Sequence, residues 1–240
     1  MTRGRRAADV PDPAEVCPVD AGLSVERVGL YRGDESRLAI TVGGKHVAVI
    51  GVTDADVVSV GMAWDATLAA DVWLAAKTLA ATRHALRLLG ARDRSRSRLR
   101  LLLVQRGHER QAVDRAMGRL VDRGLIDDAS LAERRSSTLA ARGQHGKRGI
   151  EMKLRSMGIG TDTARAAAGE ATEGVDERSS AVELAAKRAS RFSDALPYDK
   201  ARRRLYGFLV RRGFSHDDAA HAVERALADR PGDARPEDPA

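Results

Sequence analysis

Arginine occupies every second position in RDRSRSRLR: Arg92, Arg94, Arg96, Arg98 and Arg100, with Arg106 in the LLLVQR that follows and only Asp93 as counter-charge. A guanidinium group is a planar fork of donors that grips phosphate or carboxylate oxygens two at a time. Such a cluster makes and breaks no bonds; its chemistry is the recognition of anions. From Arg96 onward the residues read as a helix. Arg96 and Arg100 share one of its faces a turn apart, and Leu99, Leu102 and Leu103 turn inward. Positive charge at the start of a helix opposes the helix dipole. That local cost has no local gain, so the cluster reads as a binding surface. Further basic sets follow: Lys147, Arg148, Lys153 and Arg155, then Lys200, Arg202, Arg203, Arg204, Arg211 and Arg212.

Other residue types with chemical potential lack the spacing that chemistry needs. Asp127 and Asp128 follow Gly124, Leu125 and Ile126 in LVDRGLIDDASLAE. Adjacent carboxylates after a glycine and two apolar residues suit a helix stop followed by an N-cap, with no base, acid or metal required. RGQHGKRG is glycine-rich and basic, yet it lacks the G-x-x-x-x-G-K-[ST] spacing and a preceding buried strand, so it reads as a polar loop. His108 and His145 have no partners at ligand spacing and read as surface residues. His216 and His221 stand five apart, and Ser136-Ser137 lacks a nucleophile-elbow setting. Cys17 is the only cysteine, which excludes an internal disulfide and a cysteine-based zinc site. No catalytic residue, metal or cofactor is expected, and the chain reads as a binding protein, not an enzyme.

The composition agrees with that reading. Across 240 residues there are 41 Lys and Arg against 34 Asp and Glu, a net charge of +7 and an estimated pI of 10.0. This balance favours an anionic partner: nucleic acid, a membrane surface or an acidic protein. The N-terminal MTRGRRAADVPDP has no apolar run behind its basic residues, and no stretch approaches the ~20 apolar residues that span a bilayer. A cytoplasmic, monomeric protein with no membrane partner is expected. Aromatics are only 3% of the chain, so its core must be built from Leu, Val, Ile and Ala, which favours packed helices.

The elements that position the arginines can be read from periodicity. RLAITV and KHVAVIG flank Gly43-Gly44 and predict a hairpin, with Val25 to Tyr31 as a third strand. A short helix is expected from about Asp54 to Val60. Beyond Thr67 the pattern turns helical: Val72, Ala75, Leu79, Thr82, Leu86 and Leu89 fall on one face. Trp64 and Trp73 are expected to anchor the strand piece to this helix. A repeat of about fifty residues then appears, within the range of helical arrays. RLRLLLVQRGHERQAVDRA, GIEMKLRSMGIGTDTARAA and RLYGFLVRRGFSHDDAAHA align on Gly107, Gly158 and Gly213. Leu103, Leu154 and Leu209 stand before these glycines, preceded by Leu99, Ile150 and Leu205; Ala116, Ala167 and Ala222 stand after them. Each copy therefore reads as a helix, a short helix, a glycine stop and a helix.

The expected fold is mainly α: tandem three-helix repeats forming an elongated array, with a small N-terminal β-containing extension. Its expected boundaries are a disordered tail at 1–22, the strand-rich extension at 23–66, repeats at 67–127, 128–174 and 175–229, and a disordered tail at 230–240. Stacked repeats would align the three basic sets into one stripe.

HALRLLGARDRSRSRLRLLLVQRG, RLVDRGLIDDASLAE and RGQHGKRGIEMKLRSMGI, in this order, resemble the RecX regulatory proteins, over about residues 67 to 225. The resemblance implies tandem three-helix repeats and a cytoplasmic, non-enzymatic modulator of the RecA recombinase. Members of that family bind the RecA–DNA filament in its groove, restrain its recombinase, ATPase and coprotease activities, and tend to bind DNA. The implied partners are thus the RecA filament and single- or double-stranded DNA. The chain departs from the family at Ser95-Arg96-Ser97-Arg98, where an acidic residue is usual and a Glu in place of Arg98 would complete a capping box with Ser95. It also has Leu131 where the family prefers Phe. The alternative function is an autonomous basic DNA-binding protein without a recombinase partner.

Overall fold

The computed structural model describes residues 10–19, 22–193 and 195–228. The expected C-terminal tail and half of the N-terminal one, residues 1–9, 20 and 21, lie outside the described residues. The chain divides into two compact units, Met1–Ile126 and Asp127–Ala240.

The first unit begins with a short helix, α1 (Pro13–Val16), and a sheet of β1 (Val25–Tyr31), β2 (Asp34–Val42) and β3 (Lys45–Gly51). The strands pair antiparallel in the order β1-β2-β3. The β2–β3 turn is the predicted Gly43-Gly44, with φ of 55° and 71°, a left-handed geometry that suits the twist of a two-residue hairpin. The β1–β2 turn uses Arg32-Gly33, with Arg32 at φ 53°. After β3 the chain forms a 3₁₀ segment, Val52–Val57, in place of the expected helix from Asp54 to Val60. Then come α2 (Ala66–Ala91), α3 (Arg96–Gln105) and α4 (Arg110–Asp122).

Within the tail expected to be disordered at 1–22, the structure corrects the expectation for residues 10–19. Val10 to Val19 is folded: Asp12 caps α1, Cys17 is buried, and two indoles reach the segment. Trp64 Nε1 donates to the Cys17 carbonyl at 3.0 Å and Trp73 Nε1 to the Val10 carbonyl at 3.3 Å. These bonds reach 47 and 63 residues along the chain, so no local pattern reveals them. Trp64 lies in the core shared by the sheet and α2, as expected, whereas Trp73 is only half-buried and bonds to the N-terminal segment instead of the strands. The sheet and the start of α2 share one core containing Ile40, Val42, Ile50, Trp64 and Val72. The rest of α2 joins α3 and α4 around Ala81, Ala85, Leu99, Leu103, Val113 and Leu120. The inward stripe of α2 is thus rotated from the expected one: it runs through alanines, and Leu86 is 43% exposed. Small side chains let the helices approach closely, while the larger leucine falls at the edge.

The second unit holds α5 (Asp128–Ala141), α6 (Lys147–Ser156), α7 (Thr161–Ala171), α8 (Glu177–Ala189), α9 (Tyr198–Arg211) and α10 (His216–Leu227). They gather into two three-helix groups, each with its own core. In the chain's three helix groups, the first helix packs on the third. The repeat register predicted from sequence governs burial: Leu99, Ile150 and Leu205 are buried, as are Leu103, Leu154 and Leu209, and Ala116, Ala167 and Ala222.

The three glycine stops are Schellman caps. Gly107, Gly158 and Gly213 have φ of 89°, 87° and 81°. The N–H of the next residue (His108, Ile159 or Phe214) donates back to Leu103, Leu154 or Leu209 at 3.1, 3.3 and 3.3 Å. That residue folds onto its own helix and is buried in all three copies.

The joint at Asp127-Asp128 is structural, as expected. Gly124 stops α4, Leu125 N–H bonds the Leu120 carbonyl, and Ile126 is buried while Leu125 stays half exposed. Asp127 Oδ1 accepts from Ala129 and Ser130 N–H at 2.9 and 3.0 Å, which makes Asp127 the N-cap of α5 and leaves Asp128 in its first turn.

Candidate partner and nucleic-acid interface

In the first unit, α3 carries the arginine cluster. Ser95 caps it by accepting from Arg98 N–H at 3.2 Å, and its first turn holds no acidic residue. Leu99 and Leu103 are fully buried, so Arg96, Arg98 and Arg100 are turned outward and are exposed, as is Arg92 at the C-cap of α2. The five candidates are not equivalent. Arg94 Nε donates to the Leu88 carbonyl of α2 at 3.2 Å; burial and the neighbouring Arg92 and Arg98 push its pKa down. Arg100 makes a two-point bond to Asp114 of α4, Nε to Oδ1 at 2.7 Å and one terminal nitrogen to Oδ2 at 3.1 Å. The Arg100 hydrogen bond holds the Asp114 carboxyl below the usual range, and Arg110 and Arg96 add to the effect. Arg94 and Arg100 help to fasten α3 to its neighbours; Arg96 and Arg98 are exposed in its first turn, and Arg92 is exposed at the C-cap of α2.

In the second unit, Lys147, Arg148 and Lys153 are exposed on α6, and Arg202, Arg203 and Arg204 on α9. Burial of Ile150 and Leu154, and of Ala201, Leu205 and Leu209, turns these cations outward. Arg188 and Arg212 are engaged elsewhere: their guanidinium carbons lie 5.4 and 4.9 Å from the centre of the Phe208 ring.

RGQHGKRG does more than the expected polar loop. Gly146 N–H donates to the Arg212 carbonyl at 3.1 Å, and the Arg212 side chain returns a bond to the Gln144 carbonyl at 3.1 Å. A Cβ on Gly149 would fall 1.9 Å from the Arg212 carbonyl oxygen, and one on Gly213 would fall 1.9 Å from the Gly149 nitrogen. Glu177 of α8 accepts from Lys147 N–H at 3.0 Å and so caps α6. The loop is a backbone-on-backbone joint between the two helix groups of the second unit. Its signal in the sequence is the pair of glycines three apart, Gly146 and Gly149.

His108 is not a surface residue. It is buried, and its Nε2 lies 2.9 Å from Nδ1 of the equally buried His84. Desolvation pushes both histidines below their usual pKa, with nearby positive charge adding to it: Arg87 and Arg106 for His84, and His84 and Arg87 for His108. The repeat alignment holds the clue, because His108 aligns with Ile159 and Phe214. Asp54 likewise escapes a reading by motif. Its buried carboxylate pairs with Arg119 of α4, whose guanidinium also donates to Thr53 Oγ1, and this fastens the 3₁₀ segment to the helices. Among the described residues no three His, Cys, Asp or Glu side chains come together as a metal site, and no helix is long and apolar enough to cross a membrane.

Comparison with known proteins matches residues 81–120 to the first three-helix domain of RecX and residues 176–223 to its third. The regulatory protein RecX of Mycobacterium sp. (strain KMS) is 39% identical over 150 residues, 60% of this chain and 80% of that protein. The chain belongs to the RecX family. The matched segments hold α3, most of α4, α8, α9 and most of α10, and α3 and α9 carry two of the three basic sets. Solved RecX structures share the fold of this family member. The crystal structure of a regulatory protein RecX superposes with a TM-score of 0.68 at 21% identity, covering 86% of this chain and 99% of that one. RecX from Lactobacillus salivarius gives 0.51 at 22% identity, covering 63% of this chain and 97% of that one.

Proposed function

We propose that this chain binds the RecA–DNA filament and restrains the recombinase, ATPase and coprotease activities of RecA, by contact and without chemistry of its own. The observation that carries this reading is the end of α3. Arg96 and Arg98 are exposed there on a helix whose dipole adds positive potential, with Arg92 exposed at the C-cap of α2 just before it, within the RecX three-helix scaffold. Lys147, Arg148, Lys153, Arg202, Arg203 and Arg204 supply further exposed cations for filament phosphates or acidic protein surface. A protein lodged against the filament favours the subunit arrangement to which it binds, and thereby opposes subunit movement and ATP turnover.

The test is co-sedimentation with RecA filaments, with and without DNA and at two salt concentrations, together with RecA ATPase on single-stranded DNA. The expected result is co-sedimentation and slowed ATP hydrolysis, both reduced by Arg92→Glu/Arg98→Glu. Salt-sensitive DNA binding with no RecA dependence would instead identify an autonomous DNA-binding protein.

A further inference from the structure

The first unit has a second cationic surface, away from the arginines of α3. A cavity of about 220 Å³ opens where the sheet, α2 and α4 meet. Arg37, Arg83, Arg119 and Arg123 line it, together with the apolar Val52, Leu79 and Leu86. A second cavity of about 310 Å³ shares Arg37, Leu79 and Arg83 with the first and continues past Tyr31, Val49 and Ala80. The two form one groove between the sheet and α2.

Two features of this groove call for a ligand. Val52 and Leu86 are 46% and 43% exposed, apolar surface left open to water beside the groove. The arginines also differ in their engagement. Arg37 is bonded to Asp34 and Arg119 to Asp54, so carboxylates already satisfy these two from within the chain. Arg83 and Arg123 are exposed, and their side chains have no ion pair or hydrogen bond among the described residues. Four guanidinium groups against the carboxylates of Asp34, Asp54 and the nearby Asp56 leave an excess of one positive charge.

We infer that this groove is a docking site for an extended acidic peptide segment of a protein partner, with apolar side chains seated on Leu79, Leu86 and Val52 and flanking Asp or Glu carboxylates on Arg83 and Arg123. Guanidinium groups set beside an apolar recess match that combination, since the recess supplies burial and the arginines supply charge complementarity. A sugar–phosphate backbone would use the arginines and gain nothing from the leucines. The chain's own residues 1–9 carry Arg3, Arg5 and Arg6 against a single Asp9, the wrong charge for this groove. With the filament reading above, on which this identification of the partner rests, the segment belongs to RecA.

The experiment uses the full chain and a fluorescein-labelled peptide of repeated Asp-Leu-Glu, with the Asn-Leu-Gln counterpart and an oligodeoxythymidine as controls. Fluorescence anisotropy is read for wild type, for Arg83→Glu/Arg123→Glu and for Arg92→Glu/Arg98→Glu. Trp64 and Trp73 fluorescence reports folding of the first unit, and Arg83→Gln/Arg123→Gln serves if the reversal unfolds it. The acidic peptide should bind and its amide counterpart should not. The Arg83/Arg123 change should weaken binding by about tenfold or more, and the Arg92/Arg98 change should leave it near wild type. Equal peptide binding by wild type and the Arg83/Arg123 variant, or equal binding of the amide counterpart, overturns the groove. Loss of oligodeoxythymidine binding alone in that variant overturns it in favour of a nucleic-acid surface. If the peptide binds as expected while wild type fails to co-sediment with RecA, the groove stands and the RecA assignment falls.

Discussion

His108 occupies the place that Ile159 and Phe214 hold in the other two repeats, and the polar substitution is tolerated because His84 satisfies it. Both rings resist protonation when folded, so the unfolded chain binds protons more readily below the ordinary histidine pKa of about 6.5. Stability of the first unit should therefore be full above that value and fall as pH drops below it. Trp64 and Trp73 both lie in this unit, so urea unfolding followed by tryptophan fluorescence at pH 7.5 and 5.5 measures the effect. His84→Leu/His108→Ile should flatten that dependence. His108→Ile alone should cost roughly 1–3 kcal/mol, because the buried His84 nitrogen is left without its partner. At the joint between units, Asp127→Ala should cost about 1 kcal/mol, as the removal of an N-cap does, and Asp128→Ala less. An unchanged unfolding midpoint for Asp127→Ala would show that its two hydrogen bonds carry no weight.

Among the elements, α6 and the C-terminal cap of α9 depend most on a missing side chain. Gly149 sits in the first turn of α6, where alanine would ordinarily favour the helix by about 1 kcal/mol. Here its methyl group would meet the backbone carbonyl of Arg212, which cannot move without disturbing the Gly213 cap. Gly149→Ala should therefore destabilise the second unit by about 1–3 kcal/mol or more, reversing the sign set by propensity. Urea unfolding followed by far-ultraviolet circular dichroism reads it, and a stabilised Gly149→Ala protein would refute the close approach. Gly124→Ala provides the contrast: a Cβ there would meet nothing within 4 Å, and only the left-handed φ of 67° opposes it. Its cost should be near 1 kcal/mol, the strain of a non-glycine residue in that conformation.

For the whole molecule the governing quantity is charge. A chain of net +7 with exposed cations in both units should bind single-stranded DNA with an affinity that falls steeply with salt. Each phosphate neutralised contributes roughly −0.7 to the slope of log affinity against log salt concentration. Arg92→Glu/Arg98→Glu should make that slope shallower by roughly 0.7 for each phosphate the variant no longer neutralises, with only a small change in stability, because Glu at 98 suits the start of α3 while Glu at 92 meets the unfavourable C-terminal end of the α2 dipole. Arg100→Glu should behave differently and lower stability, since it sets a carboxylate against Asp114. A slope unchanged in the Arg92/Arg98 variant would mean that the end of α3 does not meet phosphate.

Much of this protein is written in local patterns. The three glycine stops, the repeated leucines and alanines, the Gly43-Gly44 hairpin and the Asp127 cap follow from spacing and backbone preference, which act over a few residues. The repeat register also ranked the buried positions, because each three-helix group closes its own small core. Tertiary structure decided what depends on partners far along the chain. It ordered Val10 to Val19 through two indole donors, buried His108 against His84, and rotated the inward stripe of α2 onto its alanines. It also made fasteners of Arg94 and Arg100, since only the fold brings Asp114 to Arg100 and the Leu88 carbonyl to Arg94. The glycines of RGQHGKRG show the same division: their spacing is visible in the sequence, but the carbonyl they accommodate comes from the next helix group, more than sixty residues away.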